Sequence, residues 1–225
     1  MGQAIAEVLP FAVGVAISPV PIIAVILVLF SARARSNGPA FLAGWVVGVA
    51  VVSIVVYALA DSGDASDDDS GGSDTVLWIK LALGVLLVVL AIRNWKKQGA
   101  SGASEPPRWM QSIDSLTPVK AGGLAFLLSG ANPKNLALSL GAGASLAQAG
   151  VSGGEAAVGL LVFVVIASAS IGVPVIFYLA GGEHAAQVLD GWKSWLSTHN
   201  DAVMAVLFLV FGAVLFSQGL RGLTA

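Results

Sequence analysis

The chain has 225 residues, of which 56% are hydrophobic and 11% are charged, and its mean hydropathy is +0.87. Soluble domains carry charge on about a quarter of their residues, so this composition excludes an ordinary soluble protein. The apolar runs are long, and they do not alternate with period two, which favours membrane-spanning helices over an outer-membrane barrel. The sequence therefore predicts an all-α integral membrane protein.

Six apolar runs are predicted as transmembrane helices, because about 20 helical residues cross the hydrocarbon layer. The two longest connections between them are residues 61–74, rich in Asp, Ser and Gly, and residues 94–117, rich in Gly, Ser and Pro. Both are typical of flexible loops, so we expect a single membrane domain over 1–225 and no separate soluble domain. The six runs are 4–31, 39–60, 75–93, 118–149, 156–180 and 201–220.

The distribution of basic residues predicts how the helices are oriented, because short cytoplasmic loops carry an excess of Lys and Arg. If the N-terminus is outside, eight of the eleven basic residues lie in cytoplasmic loops. Only Lys80 and Arg221 then lie outside, and Lys134 lies within a span. We therefore expect both termini outside. The eight cytoplasmic residues are Arg33, Arg35, Arg93, Lys96, Lys97, Arg108, Lys120 and Lys193.

Two proline motifs interrupt the first and the fourth apolar runs, which makes them the most informative local feature. The motifs are Ser18–Pro21 (SPVP) and Asn132–Asn135 (NPKN), and each begins roughly 14 residues into a run of about 30. Ser and Asn are favoured N-cap residues, and proline suits the first helical position. Each motif is thus predicted to end one half-helix and to start another near the middle of the membrane.

The two motifs also suggest an internal repeat. A unit of three helices that is duplicated must place its second copy upside down in the membrane. Gly44 follows Pro19 by 25 residues, and Gly159 follows Pro133 by 26 residues, which supports such a repeat. We predict two inverted three-helix repeats whose first helices are broken. The repeats are 1–95 and 118–225, joined by a cytoplasmic linker at 96–117.

The predicted breaks have the chemistry of an anion-binding site. A helix that begins inside the membrane presents unpaired N–H groups and a partial positive charge. Lys134 adds a full charge that costs at least ~2.5 kcal/mol at this depth, and its own run contains no acidic residue. The alternative is that the prolines only kink the helices and Lys134 extends to the interface. The candidate substrate-binding residues are Ser18, Pro19, Pro21, Asn132, Pro133, Lys134 and Asn135.

Small residues four apart occur in two of the runs. They are Gly44 with Gly48 and Gly141 with Ser145. This spacing lets two helices approach closely. It predicts packing within one bundle, with the interface of a homo-oligomer as the alternative.

Three motifs, in this order along the chain, resemble the Gap/Sap family of actinobacterial membrane proteins, which belongs to the lysine exporter superfamily. They are Ala16–Ile22 (AISPVPI), Gly38–Trp45 (GPAFLAGW) and Asn132–Leu136 (NPKNL). The resemblance covers essentially the whole chain. It implies a multi-pass protein of the bacterial inner membrane that takes part in the export of cell-envelope glycolipids. It implies no cofactor and no catalytic residue.

Together, the motifs and the resemblance predict a transporter or flippase component that holds the headgroup of an anionic glycolipid at the midplane, between the two breaks. One alternative is a non-transporting scaffold for a larger lipid exporter, which would dock on the basic loop around Arg93 and Arg108. Another is an exporter of a small solute such as an amino acid. We therefore expect a membrane lipid or glycolipid as the partner, and no nucleic acid.

Other classes of function lack the residues that they need. The chain has no cysteine, which excludes disulfides and thiol-based electron transfer within it. His184 and His199 are its two histidines, and both fall in the predicted loop between the fifth and sixth helices, so a metal exporter is disfavoured. Lys134 is the one ionisable group that is predicted to lie deep in the membrane, and this disfavours an enzyme.

Overall fold

The computed structural model describes residues 1–64, 71–98 and 115–224, and among these residues all regular elements are helices. The all-α prediction is therefore confirmed for the described part of the chain. Most of the predicted linker, at 99–114, and the middle of the acidic loop, at 65–70, lie outside the described residues. The helices are α1 (Gly2–Ala16), α2 (Pro19–Leu29), α3 (Ala34–Asp64), α4 (Gly71–Gln98), α5 (Pro118–Gly130), α6 (Pro133–Gln148) and α7 (Gly153–Thr224).

The last helical segment, α7, is two helices that meet at a glycine. Gly182 has φ 53° and ψ −131°, a backbone conformation that residues with a side chain rarely adopt. We call the part before this kink α7a, Gly153–Gly182, and the part after it α7b, His184–Arg221.

Three helices are individually long and apolar enough to cross a membrane. They are α3 over Ala34–Leu59, α7a and α7b, with mean hydropathies of 2.4, 2.7 and 2.3. The helices α1 and α2 qualify together as a fourth span, because they form a pair that is bent by 54° at a short break. Long apolar helices of this kind are typical of a membrane protein. The described residues thus contain three to four candidate spans, and the arrangement of six spans in two inverted repeats stays a prediction.

The prediction of a loop between the fifth and sixth helices is wrong. Residues 184–200 belong to α7b, which is 38 residues long, about twice the length that a membrane requires. Ala185 and Leu189 are fully buried one turn apart, while His184 and His199 are exposed on the same helix. This stretch is therefore an amphipathic helix that is stabilised by packing against the bundle. Its mean hydropathy is low, which is why the sequence predicted a loop here.

The tight packing of α3 against the neighbouring helices depends on glycine. A methyl group on Gly44 would overlap the carbonyl oxygen of Gly122 in α5, and one on Gly48 would overlap the hydroxyl of Ser129. On α6, Gly141 faces the ring of Phe11 in α1. Both small-residue pairs thus pack within one bundle, as the first interpretation of their spacing predicted.

One of the six tryptophans also contributes to this packing. Trp45 on α3 is fully buried, and its indole N–H donates a hydrogen bond of 3.2 Å to the carbonyl oxygen of Ala167 on α7a. This residue therefore links α3 to α7a inside the bundle.

We expect Gly44→Ala to destabilise the protein. The added methyl group forces α3 away from α5, and overpacking of this kind costs roughly 1–3 kcal/mol. The measurement is the thermal unfolding midpoint of the purified protein in detergent. The matched control is Gly123→Ala on α5, where a methyl group would meet no atom within 4 Å. Equal midpoints for the two variants would show that α3 and α5 are not in backbone contact.

Candidate functional site at the two helix breaks

The first break separates α1 from α2, where the sequence predicts it. Ser18 is the N-cap of α2 with extended backbone angles, φ −116° and ψ 100°, and Pro19 follows at the first helical position. The hydroxyl of Ser18 makes no capping bond within α2. It donates instead to Oδ1 of Asn135 at 3.0 Å, so this side chain connects the first break to the second.

The first break leaves several carbonyl groups at the C-terminal end of α1 without helical partners, among them those of Gly14 and of the C-cap residue Ile17. In a continuous helix, the carbonyl of Ile17 would accept from residue 21, but Pro21 has no N–H group. The carbonyl of Gly14 would accept from Ser18, whose N–H group donates to the carbonyl of Ala16 at 2.9 Å. The C-terminal end of α1 therefore needs donors from elsewhere in the protein, because unsatisfied carbonyl groups are costly in the interior.

The second break separates α5 from α6, and here the predicted cap forms. Oδ1 of Asn132 accepts a hydrogen bond of 3.0 Å from the backbone N–H of Lys134. Nδ2 of Asn135 donates to the carbonyl oxygen of Leu128 at 3.2 Å, which ties the start of α6 back to α5. The local geometry of α6 thus holds the lysine side chain at its N-terminal end.

Lys134 supplies the donors that the end of α1 lacks. Its Nζ atom donates to the carbonyl oxygens of Gly14 at 2.8 Å and Ile17 at 3.0 Å. A cation at this position is favourable, because the C-terminal end of a helix carries a partial negative charge. The side chain is 1% exposed, so the alternative in which Lys134 extends to the interface is wrong.

The structure brings three of the seven predicted site residues into one cluster: Ser18, Lys134 and Asn135. Pro19 and Pro21 are buried at the start of α2, whereas Asn132 is half-buried and Pro133 is exposed. The ammonium of Lys134 is enclosed and faces the end of α1. Binding of a substrate by these seven residues stays a prediction.

A second lysine is buried, which the sequence did not predict. Lys80 was expected outside the membrane, and Lys134 was expected to be the one ionisable group deep within it. Lys80 on α4 is 4% exposed, and its ammonium donates to Oε1 of Gln148 at the end of α6. The available signal was its position inside the apolar run 75–93. The two buried lysines thus lie near opposite ends of α6.

A cavity of about 560 Å³ opens beside the first break. The break, the middle of α7a and the N-terminal part of α7b form its walls. The hydroxyl of Ser170 is buried here without a hydrogen-bond partner. The lining includes Ile17 and Ile22 from the break, Ser170 and Pro174 from α7a, and Trp192 and Trp195 from α7b.

Comparison with known protein families gives one match. The family model described as "Sap, sulfolipid-1-addressing protein" matches residues 8–221, which is nearly the whole chain. No curated protein and no solved structure matches the chain.

We expect Lys134→Met to lower the thermal unfolding midpoint in detergent. Each buried carbonyl group that loses its donor costs about 1–3 kcal/mol, which outweighs the gain from no longer burying a charge next to neutral ligands. The control is Lys120→Met, because Lys120 is an exposed lysine on α5. A Lys134→Met midpoint at or above that of the control would contradict the structural role assigned to the ammonium.

Proposed function

Because the chain belongs to the family of Sap, the sulfolipid-1-addressing protein, we propose that it is a membrane component of lipid export. In finer terms, it is a transporter or flippase component for an anionic cell-envelope glycolipid, which it binds by the headgroup between the two helix breaks. It lies in the bacterial inner membrane as a six-span protein with both termini outside. It performs no enzymatic step and needs no cofactor.

The absence of an acidic partner for the buried amine of Lys134 among the described residues is the observation that carries this proposal. The two ligands of this amine are neutral carbonyl oxygens, and neither of the ion pairs found among the described residues involves it. An anionic oxygen forms shorter and stronger hydrogen bonds with an ammonium than a carbonyl oxygen does. A sulfate, phosphate or carboxylate group that reaches Lys134 therefore competes well with the end of α1.

This competition couples headgroup binding to a change in the fold. When an anion binds the side chain of Lys134, the carbonyl groups of Gly14 and Ile17 lose the hydrogen bonds that hold α1 to α6. The prolines of the first break then let α1 pivot against α2, since helix kinks at proline are common points of bending. Ser18 and Asn135, now free of each other, offer polar contacts to the hydroxyl groups of a sugar. Rocking of one half against the other would complete the transfer across the membrane.

A non-transporting scaffold is the second candidate, and one observation favours it. Lys134 already has two well-formed hydrogen bonds and is enclosed, as expected for a residue that only fastens the two breaks together. In this case the protein would position a larger lipid exporter and would move no lipid itself.

Lipid movement by the purified full-length protein separates the two candidates. The probe is phosphatidylglycerol with a fluorescent headgroup or chain label in liposomes, with dithionite reduction to report the outward movement of labelled lipid. We expect the protein to accelerate this movement. Lys134→Met should slow it at least about tenfold, because one charge-assisted hydrogen bond exceeds the barrier change that a factor of ten requires. Lys134→Arg keeps the charge and should retain more of the rate.

Lys120→Met serves as the control and should leave the rate unchanged. Two results together would establish the scaffold: the purified wild-type protein moves no lipid in liposomes, and deletion of its gene abolishes the display of the lipid on cells. A Lys134→Met protein that moves lipid at the wild-type rate would rule out the headgroup role.

A further inference from the structure

The geometry points to the cavity beside the first break as a binding site for the acyl chain of an anionic lipid, a loading site distinct from Lys134. This inference rests on the proposed function for the identity of the lipid, which is the one that is exported. The headgroup of the loaded lipid lies at the basic end of the cavity, and its tail fills the apolar part.

The lining of the cavity fits a hydrocarbon chain. Its volume of about 560 Å³ lies within the range of about 300–1,000 Å³ that is usual for small-molecule sites. The walls are almost entirely apolar, and the hydroxyl of the lining residue Ser170 is itself buried. Trp192 and Trp195 line the cavity and are both exposed, and tryptophan favours the boundary between lipid tails and headgroups.

Positive charge is concentrated where α2 ends. The ammonium of Lys193, between the two tryptophans in sequence, lies 5.3 Å from the centre of the Phe30 ring. It is also bonded to Oδ1 of Asp190 at 2.6 Å, next to the cavity-lining Gly191. Arg33 and Arg35 follow Phe30 by three and five residues and are both exposed. Because Lys193 is paired with Asp190, the net positive charge near this end of the cavity comes from Arg33 and Arg35. A basic residue near a membrane surface favours an anionic lipid about fivefold, so we expect this end of the cavity to favour anionic headgroups.

The cavity adjoins the site at the breaks through one shared residue, Ile17. The side chain of Ile17 lines the cavity, while its carbonyl oxygen holds the ammonium of Lys134 at 3.0 Å. A lipid tail in the cavity therefore lies against the residue that must move when Lys134 is released. A transmembrane helix of a partner protein is about 10–12 Å wide and would need a groove of several turns, so a single chain suits this cavity better.

The experiment uses the full-length protein in lipid nanodiscs. Phosphatidylglycerol with a diazirine near the end of its acyl chain is the probe, and phosphatidylcholine with the same chain is the neutral comparison. After irradiation, the labelled peptides are identified by mass spectrometry. We expect the probe to label the segments that line the cavity, which are 16–22, 169–174 and 191–196. Excess unlabelled phosphatidylglycerol should remove this labelling. The labelling should be about fivefold stronger with the phosphatidylglycerol probe than with the phosphatidylcholine probe.

Ala169→Trp fills the cavity and should reduce this labelling about tenfold, since excluding two methylene groups is enough for that effect. Val165→Trp is the matched control, because Val165 lies one turn earlier on α7a, is 60% exposed and does not line the cavity. Labelling that is not competed, or that is equal in the two variants, would overturn the site. Equal labelling by the two lipids would overturn its selection of anionic headgroups.

The lipid-movement assay distinguishes failure of this site from failure of the proposed function. A wild-type protein that is labelled at the cavity but moves no lipid would refute transport and support the site. A protein that moves lipid and is not labelled at the cavity would refute the site alone.

Discussion

The bond between the ammonium of Lys134 and the last carbonyl groups of α1 is the interaction on which the centre of this protein depends. Backbone groups inside a membrane protein must find partners within the protein, because lipid offers none. The prolines of the first break deprive α1 of such partners, and a residue 117 positions after Ile17 replaces them. The first break therefore depends on the second for its hydrogen-bond donors, whereas the second break is capped by its own residues.

Two motifs that look alike in sequence have complementary roles in this arrangement. The second motif uses its asparagine as an ordinary cap and contributes a cation. The first motif uses its serine to reach across to Asn135 and contributes the carbonyl acceptors. This pairing leaves the Lys134 side chain among neutral ligands. In the proposed function, an anionic lipid competes for the same bonds that hold α1 to α6. The cavity at Ile17 would then deliver the lipid to that point.

Local chemistry made part of this site predictable. N-cap residues followed by proline indicate where helices restart, so both breaks and both N-cap positions followed from the sequence. The structure also buries Lys134 inside the protein, while its depth in the membrane stays a prediction. The partners of Lys134 did not follow from the sequence, because they depend on how α1 lies against α6. The helix over 184–200 was missed because hydropathy alone hides an amphipathic helix, and the burial of Lys80 was missed because its partner, Gln148, belongs to another helix.

Chemical modification of the native lysines tests the central interaction most directly. The purified protein in detergent is treated with formaldehyde and cyanoborohydride, and methylation of each lysine is followed by mass spectrometry over time. Our account predicts that Lys134 reacts far more slowly than Lys120, and that an anionic lipid, by opening the break, changes the rate at Lys134 and leaves Lys120 as it was. Reaction of Lys134 as fast as Lys120 in the absence of lipid would contradict the account, because its ammonium would then not be bound to the end of α1.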